Sequence, residues 1–275
     1  MRIAVTGSEG QLGQALRSLC PPENVLPIDL PDHDITDLMA IISLIRAFSP
    51  DVVIHTAAIT DVDGCERDPE LAYRVNVIGT RNVAVAAAQA GCPLVYISTD
   101  YVFDGEQPEP YREYDAPNPL SVYAITKEAG ERVVRHHVPA HYIARVAWLY
   151  GDGPRNFPQT VLRLARERGE MTMVTDEIGS PTYARDVAEA LLHLVQQPAY
   201  GTYHLTNSGV CSRYELASAV LELAGVQDVT VHPGQNYRRL ARVPKRCELH
   251  NSLGAQLGIE MRPWRDALAA YLKPR

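Results

Sequence analysis

The chain has no excess of positive charge. Its 26 Lys and Arg stand against 33 Asp and Glu, a formal net charge of -7. Neutralising nucleic-acid phosphates takes a basic face, so this balance argues against a nucleic-acid partner. Cysteine is sparse. Cys20, Cys65, Cys92, Cys211 and Cys247 are odd in number, scattered, and never in CxxC spacing. That argues against a disulfide framework and a thiolate zinc site, and fits a reducing compartment. No uninterrupted apolar run approaches the ~18 residues of a membrane-spanning helix. No basic-then-apolar leader precedes the strand-like Ile3-Ala4-Val5. The expectation is a soluble, cytoplasmic protein with no membrane partner. Internal repeats and low-complexity linkers are also missing.

What is present is a globular composition, 275 residues of which 46% are hydrophobic, and a regular alternation. Ile3 to Thr6, Asn24 to Ile28, Val52 to His55, Leu94 to Ser98 and Tyr142 to Ala147 read as short buried strands. Between them, Gln11 to Cys20, Asp37 to Phe48, a long Ala-rich stretch from Pro69 to Ala90, and Leu120 to His137 read as helices. Short apolar strands alternating with helices predict an α/β fold, a doubly wound parallel sheet of the Rossmann type. After Gly151 the rhythm changes. Helices near Pro158–Arg168, Ala184–Val195 and Tyr214–Ala224 mix with strands near Met171–Val174 and Tyr203–Leu205, and a looser Arg-rich stretch runs to the end. Residues 1–150 are expected to form the dinucleotide-binding domain. Residues 151–275 are expected to form mainly a smaller substrate lobe, with some segments returning to the first domain. The loop Asp104–Pro119, rich in Pro and acidic residues, precedes a helix that carries candidate catalytic residues, where a mobile loop would cover a substrate.

Gly7, Gly10 and Gly13 form a GxxGxxG turn between the first strand and the first helix. Glycines there permit a tight turn and close backbone approach to a pyrophosphate. The helix start, with Gln11 and Leu12, offers free N–H groups and a positive dipole end. A Gly-rich connector would look the same in isolation, so position carries the reading. Asp29 ends the second strand, where a carboxylate would accept from the adenosine ribose hydroxyls and repel a 2′-phosphate. This favours NADH, with NADPH the alternative. The same aspartate would serve as a turn cap. Asp34 and Ile35 would sit beside the adenine, and the small residues of Thr56-Ala57-Ala58 would let a cofactor cross the sheet edge. Both sets are also ordinary turn and packing residues.

Tyr123 and Lys127, four apart, share one face of a helix. Carbonyl reduction needs a proton donor for the developing alkoxide. A nearby ammonium lowers a tyrosine's pKa and would also bond the nicotinamide ribose. Thr99, in Ser98-Thr99-Asp100 at the end of the fourth strand, would orient the substrate carbonyl, or is simply a β-branched strand residue. Arg238, Arg239, Arg242, Lys245 and Arg246 cluster near the C-terminus of an acidic chain. They are either donors for a nucleoside diphosphate or a solvated basic loop.

Taken together these residues resemble the extended short-chain dehydrogenase/reductase superfamily, and within it the dTDP-4-dehydrorhamnose reductase family. The resemblance covers nearly the whole chain. It rests on Gly10-Gln11-Leu12-Gly13, Asp34-Ile35-Thr36, Ala57-Ala58 followed by Thr60-Asp61-Val62-Asp63, Val75-Asn76, and Ser98-Thr99-Asp100-Tyr101-Val102-Phe103. It continues through Tyr123 with Lys127, Trp148-Leu149-Tyr150-Gly151, Asn156-Phe157 and Gly179-Ser180-Pro181-Thr182-Tyr183. It implies catalysis by Thr99, Tyr123 and Lys127. It implies a substrate pocket including Asp100, Tyr101, Trp148, Asn156 and Arg242, and reduction of the 4-keto group of dTDP-4-dehydro-L-rhamnose to dTDP-L-rhamnose. Members that bind magnesium use carboxylates, but no such ligands are assignable here. A homodimer is compatible with the resemblance.

The chain departs from the family pattern in two places. Arg145-Val146-Ala147-Trp148 stands for Arg-Thr-Ser-Trp, removing two hydroxyls near the pocket. Val243-Pro244-Lys245-Arg246-Cys247-Glu248-Leu249 stands for Arg-Pro-x-x-Ser-x-Leu. These changes bear on which sugar nucleotide binds. Related 4,6-dehydratases carry Asp-Glu after the threonine; here Tyr101 follows Asp100, which disfavours dehydration. An epimerase of the same superfamily stays open. So does a regulatory subunit resembling the methionine adenosyltransferase β subunit, since fold does not fix function.

Overall fold

The structure, a computed structural model, describes residues 1–153 and 156–273. Its centre is a six-stranded sheet. The first five strands are β1 (Ile3–Thr6), β2 (Val25–Ile28), β3 (Val52–His55), β4 (Leu94–Thr99) and β5 (His141–Val146). The sixth, Gly201–His204, comes from the second half of the chain. The spatial order is Gly201–His204, β5, β4, β3, β1, β2, and every pairing is parallel. β1, β3 and β4 are buried at every residue, as strands covered on both faces must be. One core layer joins Ile3, Val5 and Leu12 to Val187, Leu191 and Leu194. The other joins Ala4, Ile41 and Ile45 to Val83, Ala87 and Val134.

The strand order reverses direction at β1, between β2 and β3. In open α/β sheets a crevice opens at the carboxyl ends of the strands at such a switch point. The turn after β1 and the Thr56–Ala58 segment after β3 both face it.

The helix expected over Pro69–Ala90 is interrupted. It runs as an α-helical turn Pro69–Tyr73, a π-helical stretch Arg74–Gly79 and an α-helix Thr80–Ala90. The cause is visible at Asn76. Its Oδ1 accepts from Ile59 N at 2.8 Å, and its Nδ2 donates to Ile59 O and Thr126 Oγ1, each at 3.1 Å. A widened turn with a side chain tied to a neighbouring loop is a recognised form of helix interruption.

In the second half, Trp148, Phe157, Val161, Leu216, Val220 and Leu268 build a separate core. Three small sheets surround it, one of them ordering Cys211–Ser212, Ile178–Gly179 and Arg246–Cys247. The stretch read as loose from sequence holds a strand at Thr230–Gly234 and a helix at Trp264–Leu272, which returns to this core. Among the described residues no helix is long and apolar enough to cross a membrane.

Candidate active site

A cavity of about 1180 Å³ opens along the switch point. At one end the turn after β1 supplies Gly7, Gly10, Gln11 and Leu12. Gly7 sits at φ +67, and a β-carbon on it would lie 2.7 Å from Ala57 N. Only glycine meets both conditions. The helix Gln11–Leu19 begins here with no side-chain cap and no acidic residue in its first turn. A helix start of this kind turns a positive dipole end toward the cavity, which is what a cofactor pyrophosphate requires. Gly13 does not line the cavity. It packs beneath the turn, where a β-carbon would lie 2.3 Å from Gly7 O.

Asp29, Asp34 and Ile35 line the cavity beyond this turn, and Thr56, Ala57 and Ala58 form its wall. Asp29 is already engaged: Oδ2 accepts from Glu9 N and Oδ1 from Leu30 N, each at 2.8 Å. Asp29 is thus a turn cap that also lines the cavity. Thr56 Oγ1 donates to Thr6 O at 2.7 Å and ties the two strand ends together. Behind them His55 is fully buried between Thr6 Oγ1 (2.6 Å) and Thr80 Oγ1 (2.9 Å). Burial holds its pKa down to about 3, so this histidine is neutral and structural.

Thr99, Tyr123 and Lys127 meet in the middle of the cavity. The helix Val122–His137 presents Tyr123 and Lys127 on one face, and Ser121 caps it by accepting from Ala124 N. Lys127 is buried, its Nζ 4.2 Å from the Tyr96 ring centroid, and burial lowers its pKa to about 7. The expectation that the ammonium would lower the tyrosine's pKa is corrected. Burial pushes Tyr123 well up, against a hydrogen bond with Thr99, while Asp100, Tyr101 and Cys65 add to the rise. Desolvation outweighs any lysine effect, and the phenol stays protonated through the neutral range.

Beyond Tyr123 the lining continues through Asp100, Tyr101, Val146, Trp148 and Arg213. Asp100 is buried, Oδ1 accepts from Thr99 Oγ1 at 3.1 Å, and Oδ2 has no hydrogen-bond partner among the described residues. Burial raises its carboxyl to about 7. Trp148 sits at φ 43 and is clamped: Gly179 lies against one side of the indole, and Arg213 Cζ stands 3.4 Å from the ring centroid. Val146 gives the cavity an apolar stretch of wall.

Two expected pocket residues lie elsewhere. Asn156 caps the helix Phe157–Glu167. Its Oδ1 accepts from Gln159 N at 2.9 Å, and its Nδ2 donates to Gly151 O and Tyr271 Oη. With every polar atom engaged, its role is to close the helix start. Arg242 is exposed and does not line the cavity. Of its neighbours, Arg239 pairs with Glu177, Lys245 with Asp176 and Arg246 with Glu248. The cation at this end is instead Arg213. It carries no local sequence signal because its partner Trp148 is far away in the chain.

A family model described as the RmlD substrate binding domain matches residues 1–275. The chain belongs to this family. Among RmlD-type relatives, the dTDP-4-dehydrorhamnose reductase of Mycobacterium tuberculosis is 39% identical, over 98% of this chain and 92% of its own. The spore coat polysaccharide biosynthesis protein SpsK of Bacillus subtilis is 38% identical, over 100% of this chain and 98% of its own. The crystal structure of a dTDP-4-dehydrorhamnose reductase from Bacillus anthracis in complex with NADP superposes with a TM-score of 0.95 and 38% identity, covering 98% of each chain.

Proposed function

We propose that this chain is an NAD(P)H-dependent reductase. It would convert the 4-keto group of dTDP-4-dehydro-L-rhamnose to the alcohol of dTDP-L-rhamnose. The observation that carries the reading is the convergence of Thr99, Tyr123 and Lys127 in the cavity whose far end is the glycine turn. Relatives at 39% and 38% identity are named for this reaction.

A nicotinamide cofactor held along this cavity would supply the hydride for C4 of the sugar. Thr99 Oγ1 orients the carbonyl oxygen. Tyr123, protonated because it is buried, donates its proton to that oxygen as negative charge develops. Lys127 then stabilises the tyrosinate and holds the ribose, and solvent restores the phenolic proton. Asp29 at the adenosine end favours NADH over NADPH. Residues 1–150 would bind the cofactor, while residues 151–275 would mainly hold the substrate, with some segments, Gly201–His204 among them, returning to the first domain.

The test is loss of NADH absorbance on adding dTDP-4-dehydro-L-rhamnose, with and without magnesium. Multiple turnovers, lost in Tyr123→Phe, are expected. NADH binding without turnover would sink the assignment of this sugar.

A further inference from the structure

Arg213 opens the helix Arg213–Leu223, whose start is pinned by a reciprocal pair. Ser212 accepts from Glu215 N, and Glu215 accepts from Ser212 N at 2.7 Å. A cation at the positive end of a helix is electrostatically misplaced. Burial adds to the cost: the side chain is only 19% exposed, and desolvation lowers its pKa. Nothing nearby fully compensates. The adjacent carboxylate oxygen, Glu177 Oε2, lies 3.8 Å from Nε, beyond hydrogen-bond length, and Glu177 Oε1 is taken by Arg239 at 2.7 Å. Among the described residues the Arg213 side chain makes no hydrogen bond. Yet it is held still, Cζ 3.4 Å from the Trp148 centroid and 5.1 Å from that of Phe157. A fixed guanidinium with unmet donors lies on the cavity wall with Thr99 and Asp100. Of the other Lys and Arg side chains lining that cavity, Lys127 belongs to the catalytic group and Arg74 is exposed.

We propose that Arg213 anchors the substrate by its diphosphate, with the sugar reaching from there to Thr99 and Tyr123. The planar donor fork matches paired phosphate oxygens, and the anion supplies the charge that Glu177 shares with Arg239. The proposal rests on the reductase reading only for the class of ligand, a sugar nucleotide.

The experiment measures binding, not turnover, so failure of the keto-sugar assay would leave it standing. With NADH present, dTDP, thymidine and inorganic pyrophosphate are titrated into the native protein, Arg213→Met and Arg213→Lys, reading heat and tryptophan fluorescence. Arg213→Met keeps apolar packing on the indole and removes the charge. Its affinity for dTDP should fall roughly 10- to 100-fold, the worth of charge-assisted bonds. Thymidine and NADH affinities should hold, and Arg213→Lys should recover part of the loss. In the native protein, added salt should weaken dTDP but not thymidine; this control stands even if a variant misfolds. The proposal is overturned by unchanged dTDP affinity in Arg213→Met, by equal losses for dTDP and thymidine, by salt-independent dTDP binding, or by a native protein that binds neither dTDP nor pyrophosphate.

Discussion

Gly179 lies so close to Trp148 that a β-carbon on the glycine would sit 2.6 Å from Cε2 of the indole and 2.8 Å from Nε1. Gly179 lies in the Gly-Ser-Pro-Thr-Tyr element, so a motif that begins 31 residues after the tryptophan sets the position of the pocket wall. Overpacking such a contact costs roughly 1–3 kcal/mol, or moves the ring by the equivalent. Gly179→Ala should raise the KM for the sugar nucleotide about tenfold or more, leaving the Kd for NADH as it was. Native values for both would mean that the indole is no part of the substrate wall.

Tyr123→Phe removes the proton donor and little else, since the ring stays buried against Tyr101 in an edge contact at 6.1 Å. General-acid catalysis is worth roughly 10²- to 10⁴-fold, and kcat should fall by that much. NADH binding, followed by fluorescence, should survive. Turnover close to native would assign the proton to another group.

Lys127 is a lysine kept at a cost. Burial lowers its pKa from 10.5 to about 7. Between those values the unfolded chain binds more protons than the folded one, so stability rises with pH across that window. Below it the burial cost is carried in full. Lys127→Met should therefore stabilise the ligand-free protein at neutral pH by a few kcal/mol, flatten that pH slope and abolish turnover. Urea unfolding across the window provides the check; a variant less stable than native at neutral pH would show that attraction to Glu131 outweighs desolvation.

Asp29 both caps the turn at Glu9 N and Leu30 N and faces the cofactor end of the cavity. Asp29→Asn removes the charge and keeps an acceptor. The ratio of kcat/KM for NADH over NADPH should drop about tenfold, a change of ~1.4 kcal/mol. A constant ratio would reduce Asp29 to a structural cap.

Gly13→Ala places a β-carbon 2.3 Å from Gly7 O and 2.6 Å from Ser8 Cα, both backbone atoms that have no rotamer to escape into. The glycine turn must shift as a whole. A stability loss of roughly 1–3 kcal/mol should accompany much weaker NADH binding, read by denaturation and by titration. Retention of both would place the third glycine outside the cofactor site's requirements.

The strand–helix alternation was readable because each buried strand is a short apolar run and each turn lies at a sheet edge. Gly7, Thr99, Tyr123 and Lys127 were readable for the same reason, since their positions follow from the element they end or begin. The π-helical stretch was not, because it depends on Asn76 reaching the Ile59 backbone, a contact across the fold. The helix Trp264–Leu272 is hidden in sequence because Arg-rich polar residues surround an apolar face that packs on a remote core. Asn156 carried a usable signal that was outweighed: an asparagine followed by Phe-Pro is a helix start, with proline in the first turn. Arg213 carried none, and the five-residue basic cluster drew attention because charge density is visible in sequence and ion pairing is not.

The strand Gly201–His204 lies at the sheet edge beside β5, hydrogen-bonding Tyr142 to Arg145 from a point in the chain beyond Trp148, Phe157 and Val161 of the second core. The polypeptide thus leaves the central sheet, starts the second core, comes back to add the sixth strand, and then returns to the second core with Leu216, Val220 and Leu268. A chimera cut at Gly151 would strand β5 with an open edge, an invitation to pair with other chains. It would also strip Val187 and Leu191 from the core layer containing Ile3 and Val5. Grafts between relatives must therefore leave the returning segment with the host, so this architecture exchanges patches within its second half, not that half whole.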